Sequence, residues 1–115
     1  MYYTDEFGID HAAVKRVRTV DGKDVTTWSR DVTNCNCFTV EAGTNGYQGG
    51  DWGHGCRVFL RLGDLEGTDF CCGYDGKELE ERPDEIVIAL GGDSELTTIK
   101  EALRWWLSVL EAQSE

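Results

Sequence analysis

Basic residues are scarce in this sequence of 115 residues, which contains 11 Lys and Arg against 22 Asp and Glu. The formal net charge of −11 argues against a nucleic-acid partner, which needs a basic stripe, and against an anionic membrane surface. No apolar run approaches the roughly 18 residues of a membrane span. Residues 1–6 lack the basic and apolar regions of a signal peptide. We therefore expect a cytoplasmic protein that binds neither nucleic acid nor a membrane.

Cysteine usage fits a reducing compartment. The five cysteines are an odd number, and Cys71 and Cys72 are adjacent, which suits a disulfide framework poorly. Apolar residues form 40% of the chain and include four tryptophans, so an acidic disordered tail is excluded. The sequence shows no linker or repeat, and its length fits a single domain of residues 1–115.

Short segments rich in β-branched and apolar residues predict strands. Asp21-Gly22 and Asp75-Gly76 each supply the positive φ angles of a two-residue hairpin turn. The unbroken apolar run at 85–90 predicts a central strand covered on both faces. The expected strands are 13–20, 23–28, 37–41, 56–62, 70–74, 77–80 and 85–90.

The C-terminal segment predicts a helix that covers the sheet. Apolar residues recur at helical spacing from Leu96 to Leu110, and Asp93 or Ser94 is expected to cap the helix. Trp105 falls on the opposite side, with Val109 toward it, which predicts an interface with a second copy or another partner. Cover by a loop or by the N-terminal segment is the alternative. The sequence thus predicts an α+β fold: an antiparallel, meandering sheet of about six strands covered by one C-terminal α-helix.

The most unusual segment is the loop of residues 43–55, in which six of thirteen residues are glycine. Glycines allow backbone amides to form a nest for an anion, and Arg57 on the next strand adds a cation for phosphate. The alternative is a purely structural connection, but long irregular loops are uncommon unless functional. We therefore predict non-catalytic binding of a phosphate-bearing small ligand such as a nucleotide, with no cofactor. The predicted ligand-binding residues are Asn45, Tyr47, Gln48, Gly49, Gly50, Asp51, Trp52, His54 and Arg57.

Two motifs carry a family resemblance. They are G-T-x-G-x-x-G-G-D-x-G-H-G at residues 43–55, followed by an arginine-bearing strand, and G-D-x-E-L at residues 92–96. Neither is a P-loop or a dinucleotide-binding fingerprint. Over residues 36–110 the chain resembles a group of small uncharacterised proteins from phages and prophages of Firmicutes. This resemblance implies a viral accessory protein in the host cytoplasm, of the kind that antagonises bacterial defence by sequestering nucleotide signals or inhibiting CRISPR nucleases.

Acidic residues are concentrated in the second half of the chain. Residues 58–115 contain 14 acids and five bases, whereas residues 1–57 contain eight acids and six bases. An acidic surface of this kind can mimic nucleic acid and inhibit a nuclease or another nucleic-acid-processing protein, which is the alternative function. Solubility alone also explains such a surface. The residues expected to carry mimicry are Asp64, Glu66, Asp69, Asp75, Glu78, Glu80, Glu81, Asp84 and Glu85.

Metal binding and catalysis are weaker alternatives. The cysteine and histidine spacing lacks the C-x-x-C pairs of familiar zinc sites, so we expect no metal. The set that best fits zinc is Cys35, Cys37, His54 and Cys56. Asp51 and His54 could form an acid–base pair with a cysteine or Thr44 as nucleophile. Because no nucleophile elbow or carboxylate pair accompanies them, we predict that the chain is not an enzyme.

Overall fold

A computed structural model of the chain describes residues 4–5, 8–9, 13–33, 37–65, 71–79 and 82–114. These ranges contain nine strands, a short 3-10 helix at Trp52–His54, and one α-helix, α1, at Asp93–Gln113. The strands are β1 (Thr4–Asp5), β2 (Gly8–Ile9), β3 (Val14–Val20), β4 (Lys23–Thr33), β5 (Cys37–Thr44), β6 (Arg57–Gly63), β7 (Gly73–Tyr74), β8 (Lys77–Glu78) and β9 (Ile86–Gly91). No helix within these ranges is long and apolar enough to cross a membrane.

Five strands form one antiparallel sheet in the order β3-β4-β5-β6-β9. The predicted α+β fold, with a meandering sheet and a C-terminal helix, is confirmed. This sheet has five strands, slightly fewer than the six or so predicted. In the described ranges β7 and β8, of only two residues each, pair with each other, as do β1 and β2. Such short strands offer too few ladder hydrogen bonds to extend the main sheet.

Both Asp-Gly turns have the predicted hairpin geometry. Asp21 and Gly22 adopt φ angles of 45° and 79°, and Asp75 and Gly76 adopt 51° and 75°. Positive φ at both central positions defines the type I′ turn, whose twist matches that of the flanking strands. The first turn joins β3 to β4 and the second joins β7 to β8.

The strand register aligns two rows of side chains on the face of the sheet toward α1. The tryptophan row is Trp28, Ala42, Leu60 and Ile88, and the arginine row is Arg30, Val40, Leu62 and Ile86. Directly opposite residues in antiparallel strands point to the same face, so each row is continuous across four strands. The two rows together form the floor of the cavity that is described below.

The other face of the sheet carries a small core of Val20, Val25 and Phe59. A Cβ at Gly43 on β5 would collide with the backbone carbonyl oxygen of Thr26 on β4. Glycine at this position therefore allows the two strands to approach closely enough to bury that core.

Strand β9 lies at the end of the described sheet, beside β6. Val87 and Ile88 in its middle are exposed. The prediction of a central strand covered on both faces is therefore wrong. Both faces of β9 are apolar in composition, but α1 packs mainly near its C-terminal end, beside Leu90.

Helix α1 covers the sheet only with its first two turns. Leu96 is buried against Cys56 and Val58, and Ile99 is partly buried beside them. The later residues of the same apolar stripe are exposed, so the predicted covering helix covers only part of the sheet. The predicted side-chain cap is also wrong. Gly92 is the N-cap residue, and the helix begins without a side-chain capping hydrogen bond.

Candidate functional site

The glycine-rich loop leaves β5 and returns to β6 along the N-terminus of α1. The Asp93 N–H donates to the Gly50 carbonyl oxygen at 2.7 Å, and the Gly92 N–H donates to the Cys56 carbonyl oxygen at 3.0 Å. These bonds connect the loop to the beginning of the helix. They also give partners to helical N–H groups that lack one within the helix.

The predicted anion nest is present, and its anion is the carboxylate of Asp93. The N–H of Gln48 donates to Asp93 Oδ1 and the N–H of Gly49 donates to Asp93 Oδ2, each at 2.9 Å. Hydrogen bonds from the backbone of Gln48 and its neighbours lower the pKa of Asp93. Because the amides already hold a carboxylate of the same chain, a bound phosphate would have to displace it.

Two predicted ligand-binding side chains brace the loop internally. The Asn45 amide donates to the Gly55 carbonyl oxygen at 2.8 Å and accepts the Arg57 N–H at 2.7 Å. The Gln48 amide donates to the Asn45 carbonyl oxygen at 3.0 Å. These contacts fix the two ends of the loop relative to each other, which is the structural alternative considered for this segment.

Arg57 is buried, with 4% of its side chain exposed. Its Nη1 donates to the Cys56 carbonyl oxygen at 2.9 Å, and its Nη2 lies 3.5 Å from Asp21 Oδ2. The guanidinium group, which was predicted to bind a phosphate, therefore contacts other groups of the chain. This is because the Arg57 side chain on β6 points toward the β3–β4 hairpin.

Other predicted loop residues lie on the surface. Tyr47 is exposed; its hydroxyl lies 2.9 Å from Thr97 Oγ1, and Lys100 Nζ lies 5.1 Å from its ring centre. The hydrogen bond with Thr97 lowers the pKa of Tyr47. The exposed His54 ring rests against the α-carbon of Gly50. Binding of a phosphate-bearing ligand at this loop stays a prediction.

Asp51 and His54, which were considered as an acid–base pair for catalysis, take part in backbone hydrogen bonds of the loop. The Gly53 N–H donates to Asp51 Oδ1 at 3.1 Å, and the His54 N–H donates to the Asp51 carbonyl oxygen at 3.0 Å. The Thr44 hydroxyl donates to the Arg57 carbonyl oxygen at 2.8 Å. These groups thus close the turns of the loop. The side chain of Trp52, which was predicted to contact a ligand, lies outside the part of the chain that the structure describes.

Of the proposed zinc ligands, Cys35 and the side chain of Cys37 lie outside the described residues. Cys56 is buried beside Asp93, and burial is the main cause that raises the pKa of its thiol. Among the described residues, no group of three His, Cys, Asp or Glu side chains is placed to hold a metal. Cys71 is exposed and Cys72 is partly exposed.

The residues expected to mimic nucleic acid are partly described. Glu66, Asp69, Glu80 and Glu81 lie outside the described ranges. Five are exposed: Asp64, Asp75, Glu78, Asp84 and Glu85. Glu85 lies 3.3 Å from Arg61 Nη1, so part of its charge is balanced locally.

A cavity of about 540 Å³ lies between α1 and the sheet. The tryptophan and arginine rows form its floor, and Ile99, Leu103 and Trp106 of α1 form its wall. It exists because α1 leaves the sheet after its second turn. The sequence predicted a helix that covers the sheet, and such a helix would have closed this cavity. The alternation of the lining residues along each strand indicated the shared face, but it could not show that the face stays open.

One ionisable residue gives this cavity a positive formal charge. Arg30, in the arginine row of its floor, carries +1. The side chains of Glu41 and Arg61 alternate with Ala42 and Leu60 along their strands, so they lie on the opposite face of the sheet, where Arg61 Nε donates to Glu41 Oε1 at 3.0 Å. The entire chain carries −11, so this surface departs from the charge of the molecule around it.

No protein-family model, curated protein or solved structure matches the chain. The candidate site is therefore defined by its geometry: an apolar cavity with two tryptophans and a net positive lining.

Proposed function

We propose that the chain is a non-catalytic binding protein that holds a small anionic ligand with an aromatic or aliphatic body in the cavity beneath α1. The observation that carries this proposal is the cavity itself. Its volume of about 540 Å³ falls within the range of roughly 300–1,000 Å³ that is typical of small-molecule sites. Its lining is mostly apolar, with few charged groups, which is also the usual composition of such sites.

The ligand class follows from the lining. Trp28 on the floor and Trp106 on the wall offer flat apolar surfaces for a ring or an alkyl chain. The formal charge of +1 favours an acidic group on the ligand over a basic one. A phosphate-bearing nucleotide, which the sequence suggested for the glycine-rich loop, belongs to this class. The cavity supports that ligand better, because the nest in the loop already holds Asp93.

Two dyes that share one ring system test whether the cavity binds a ligand and whether its charge favours an anionic one. Anilinonaphthalene sulfonate is anionic, and N-phenyl-1-naphthylamine is the same ring system without the sulfonate. We expect both to fluoresce on binding to the folded protein. Ala42→Phe should weaken both dyes by about tenfold or more, because the new ring fills the floor between Trp28 and Leu60.

The matched control is Ala89→Phe, an identical change at another exposed strand residue that pairs with Phe59 on the opposite face of the sheet. It should leave both affinities within about twofold. Arg30→Gln should weaken the sulfonate dye and spare the neutral one. Near-ultraviolet circular dichroism must show native packing in each variant, since this dye also binds loosened proteins. Equal binding by Ala42→Phe and wild type would reject the cavity as the site.

The glycine-rich loop remains a second candidate site for a phosphate-bearing ligand. The favouring observation is the exposed Tyr47 ring with the Lys100 ammonium 5.1 Å from its centre; His54 of the same loop is also exposed. A cyclic nucleotide bound there would lose affinity in Tyr47→Ala and His54→Ala but not in Ala42→Phe. This pattern distinguishes the two sites within one titration series.

The resemblance to phage proteins gives either site a biological setting, in which the chain removes a nucleotide signal of host defence in the cytoplasm. Direct inhibition of a nucleic-acid-processing protein by the exposed acids is the alternative. It predicts strongly salt-dependent binding to such a protein. Lysine substitutions at Asp75, Glu78 and Asp84 would abolish that binding, whereas Ala42→Phe would leave it unchanged.

A further inference from the structure

The C-terminal half of α1 exposes a continuous apolar stripe. The exposed fractions are 40% for Leu103, 56% for Trp106, 57% for Leu107 and 65% for Leu110. These residues follow one another at spacings of three, one and three, so they lie on one side of the helix. Nothing in the described part of the chain covers them. Leu107 and Leu110 do not line the cavity, so ligand binding there does not account for them.

The size of this stripe fits a small dimer interface. Whole side chains of about 150–250 Å² give roughly 400 Å² of exposed apolar surface per chain at these four residues. Apolar atoms form about 65% of a homodimer interface, so this core corresponds to about 600 Å² per chain. The total of about 1,200 Å² lies at the lower end of specific interfaces.

Charge placement selects an antiparallel pair of helices. When the stripe is paired with itself about a two-fold axis, Leu103 faces Leu110 of the second copy and Trp106 faces Leu107. Lys100 and Glu111 lie on the same flank of the stripe. In this register Lys100 of one chain lies only about 3 Å along the axis from Glu111 of the other. The symmetry makes this pair twice, whereas a parallel two-fold pair would place Lys100 and Glu111 of the two chains on opposite flanks, out of reach of each other.

We infer that a second copy of this chain docks on the C-terminal half of α1, with the two helices antiparallel. The interface consists of Leu103, Trp106, Leu107 and Leu110, flanked by Lys100 and Glu111. This differs from the interface at Trp105 and Val109 that the sequence predicted. Trp105 is 66% exposed, but it lies on the opposite side of the helix as an isolated large ring.

Sedimentation equilibrium between about 1 and 300 µM tests the dimer, with a reductant present to exclude a disulfide through Cys71. Wild type should move from one to two chains with a micromolar midpoint. Leu107→Glu/Leu110→Glu should raise the dissociation constant at least about 100-fold, because it places four carboxylates in the apolar core. Far-ultraviolet circular dichroism should remain unchanged, since both leucines are exposed in the monomer.

Trp105→Glu is the control, because it introduces a carboxylate on the other side of α1. It should dimerise as wild type does. A wild-type protein that stays monomeric at 300 µM would overturn the inference, as would a larger assembly. Loss of the dimer in Trp105→Glu but not in Leu107→Glu/Leu110→Glu would also overturn it, because the interface would then be the opposite side.

A charge exchange tests the antiparallel register. Lys100→Glu and Glu111→Lys should each weaken the dimer by about three- to tenfold, since each places like charges at both symmetric contacts. The double variant Lys100→Glu/Glu111→Lys should return to within about twofold of wild type. A double variant weaker than both single variants would overturn the antiparallel arrangement.

Discussion

Glu41 is a buried carboxylate held by three side chains. Arg18 donates to its two oxygens through Nε and Nη2 at 2.7 Å, and the Thr27 hydroxyl donates at 2.6 Å. Arg61 donates through Nε at 3.0 Å. Burial opposes ionisation, but the hydrogen bonds from Arg18, Thr27 and Arg61 outweigh it, and the pKa of Glu41 is lowered to about 2. This cluster joins β3, β4, β5 and β6 on the face of the sheet opposite the cavity.

The lowered pKa predicts acid sensitivity. The folded pKa of about 2 lies below the value of about 4.3 in an unfolded chain, so the contribution of Glu41 is present above pH 4.3. It is lost progressively as the pH falls toward 2. We expect Glu41→Gln to lower the free energy of unfolding by about 3 kcal/mol at pH 7, because two arginines lose their carboxylate. Urea unfolding between pH 2 and 7 measures both effects.

Glu78→Gln is the control for this prediction, because Glu78 is exposed on β8. It should keep the wild-type pH profile. If Glu41→Gln shows the same loss of stability between pH 4.3 and 2 as wild type, Glu41 is not the group responsible.

At the scale of elements, the glycine-rich loop and α1 hold each other in place. Asp93, the first residue of the helix, accepts two N–H groups of the loop, and its own N–H donates back to Gly50. Helix and loop therefore share hydrogen bonds that each would otherwise make with water. This reciprocal contact explains why the loop needs glycines without requiring a ligand for them.

Removal of the Asp93 side chain should open the loop. Asp93→Ala should accelerate hydrogen exchange of the Gln48 and Gly49 amides by about tenfold or more, because both lose their acceptor. Asp93→Asn retains one acceptor oxygen and should give an intermediate effect. Ser94→Ala, one residue further along the exposed helix surface, should change neither amide. Unchanged protection in Asp93→Ala would show that the nest does not depend on this carboxylate.

The sequence predicted the geometry of single turns better than the arrangement of strands and helix. Both Asp-Gly turns were correct, because a two-residue turn is specified by its own φ requirements. The anion nest was also anticipated, but glycines do not reveal which anion fills it, and Asp93 lies more than forty residues away. The position of β9 at the sheet edge and the uncovered end of α1 depend on tertiary packing. The same apolar stripe is compatible with a helix that packs on the sheet, with the wall of a ligand cavity and with a dimer interface.

At the scale of the whole molecule, charge and apolar surface are separated. The chain carries −11, yet the cavity lining carries +1 and the stripe on α1 is uncharged except at its flanks. Leu103 and Trp106 belong to both the cavity wall and the stripe. The two surfaces are thus adjacent and still separable, because Ala42 lies only in the cavity and Leu110 only in the stripe.

The cavity beneath α1 is the proposed ligand site. Its most direct test is a titration of ¹⁵N-labelled protein with anilinonaphthalene sulfonate, followed by the indole and backbone N–H signals in NMR spectra. We expect the Trp28 and Trp106 indole signals to shift, with those of Trp105 and the Gln48 and Gly49 amides unchanged. Shifts of the Gln48 and Gly49 amide signals, with the Trp28 and Trp106 indole signals unchanged, would contradict ligand binding in the cavity.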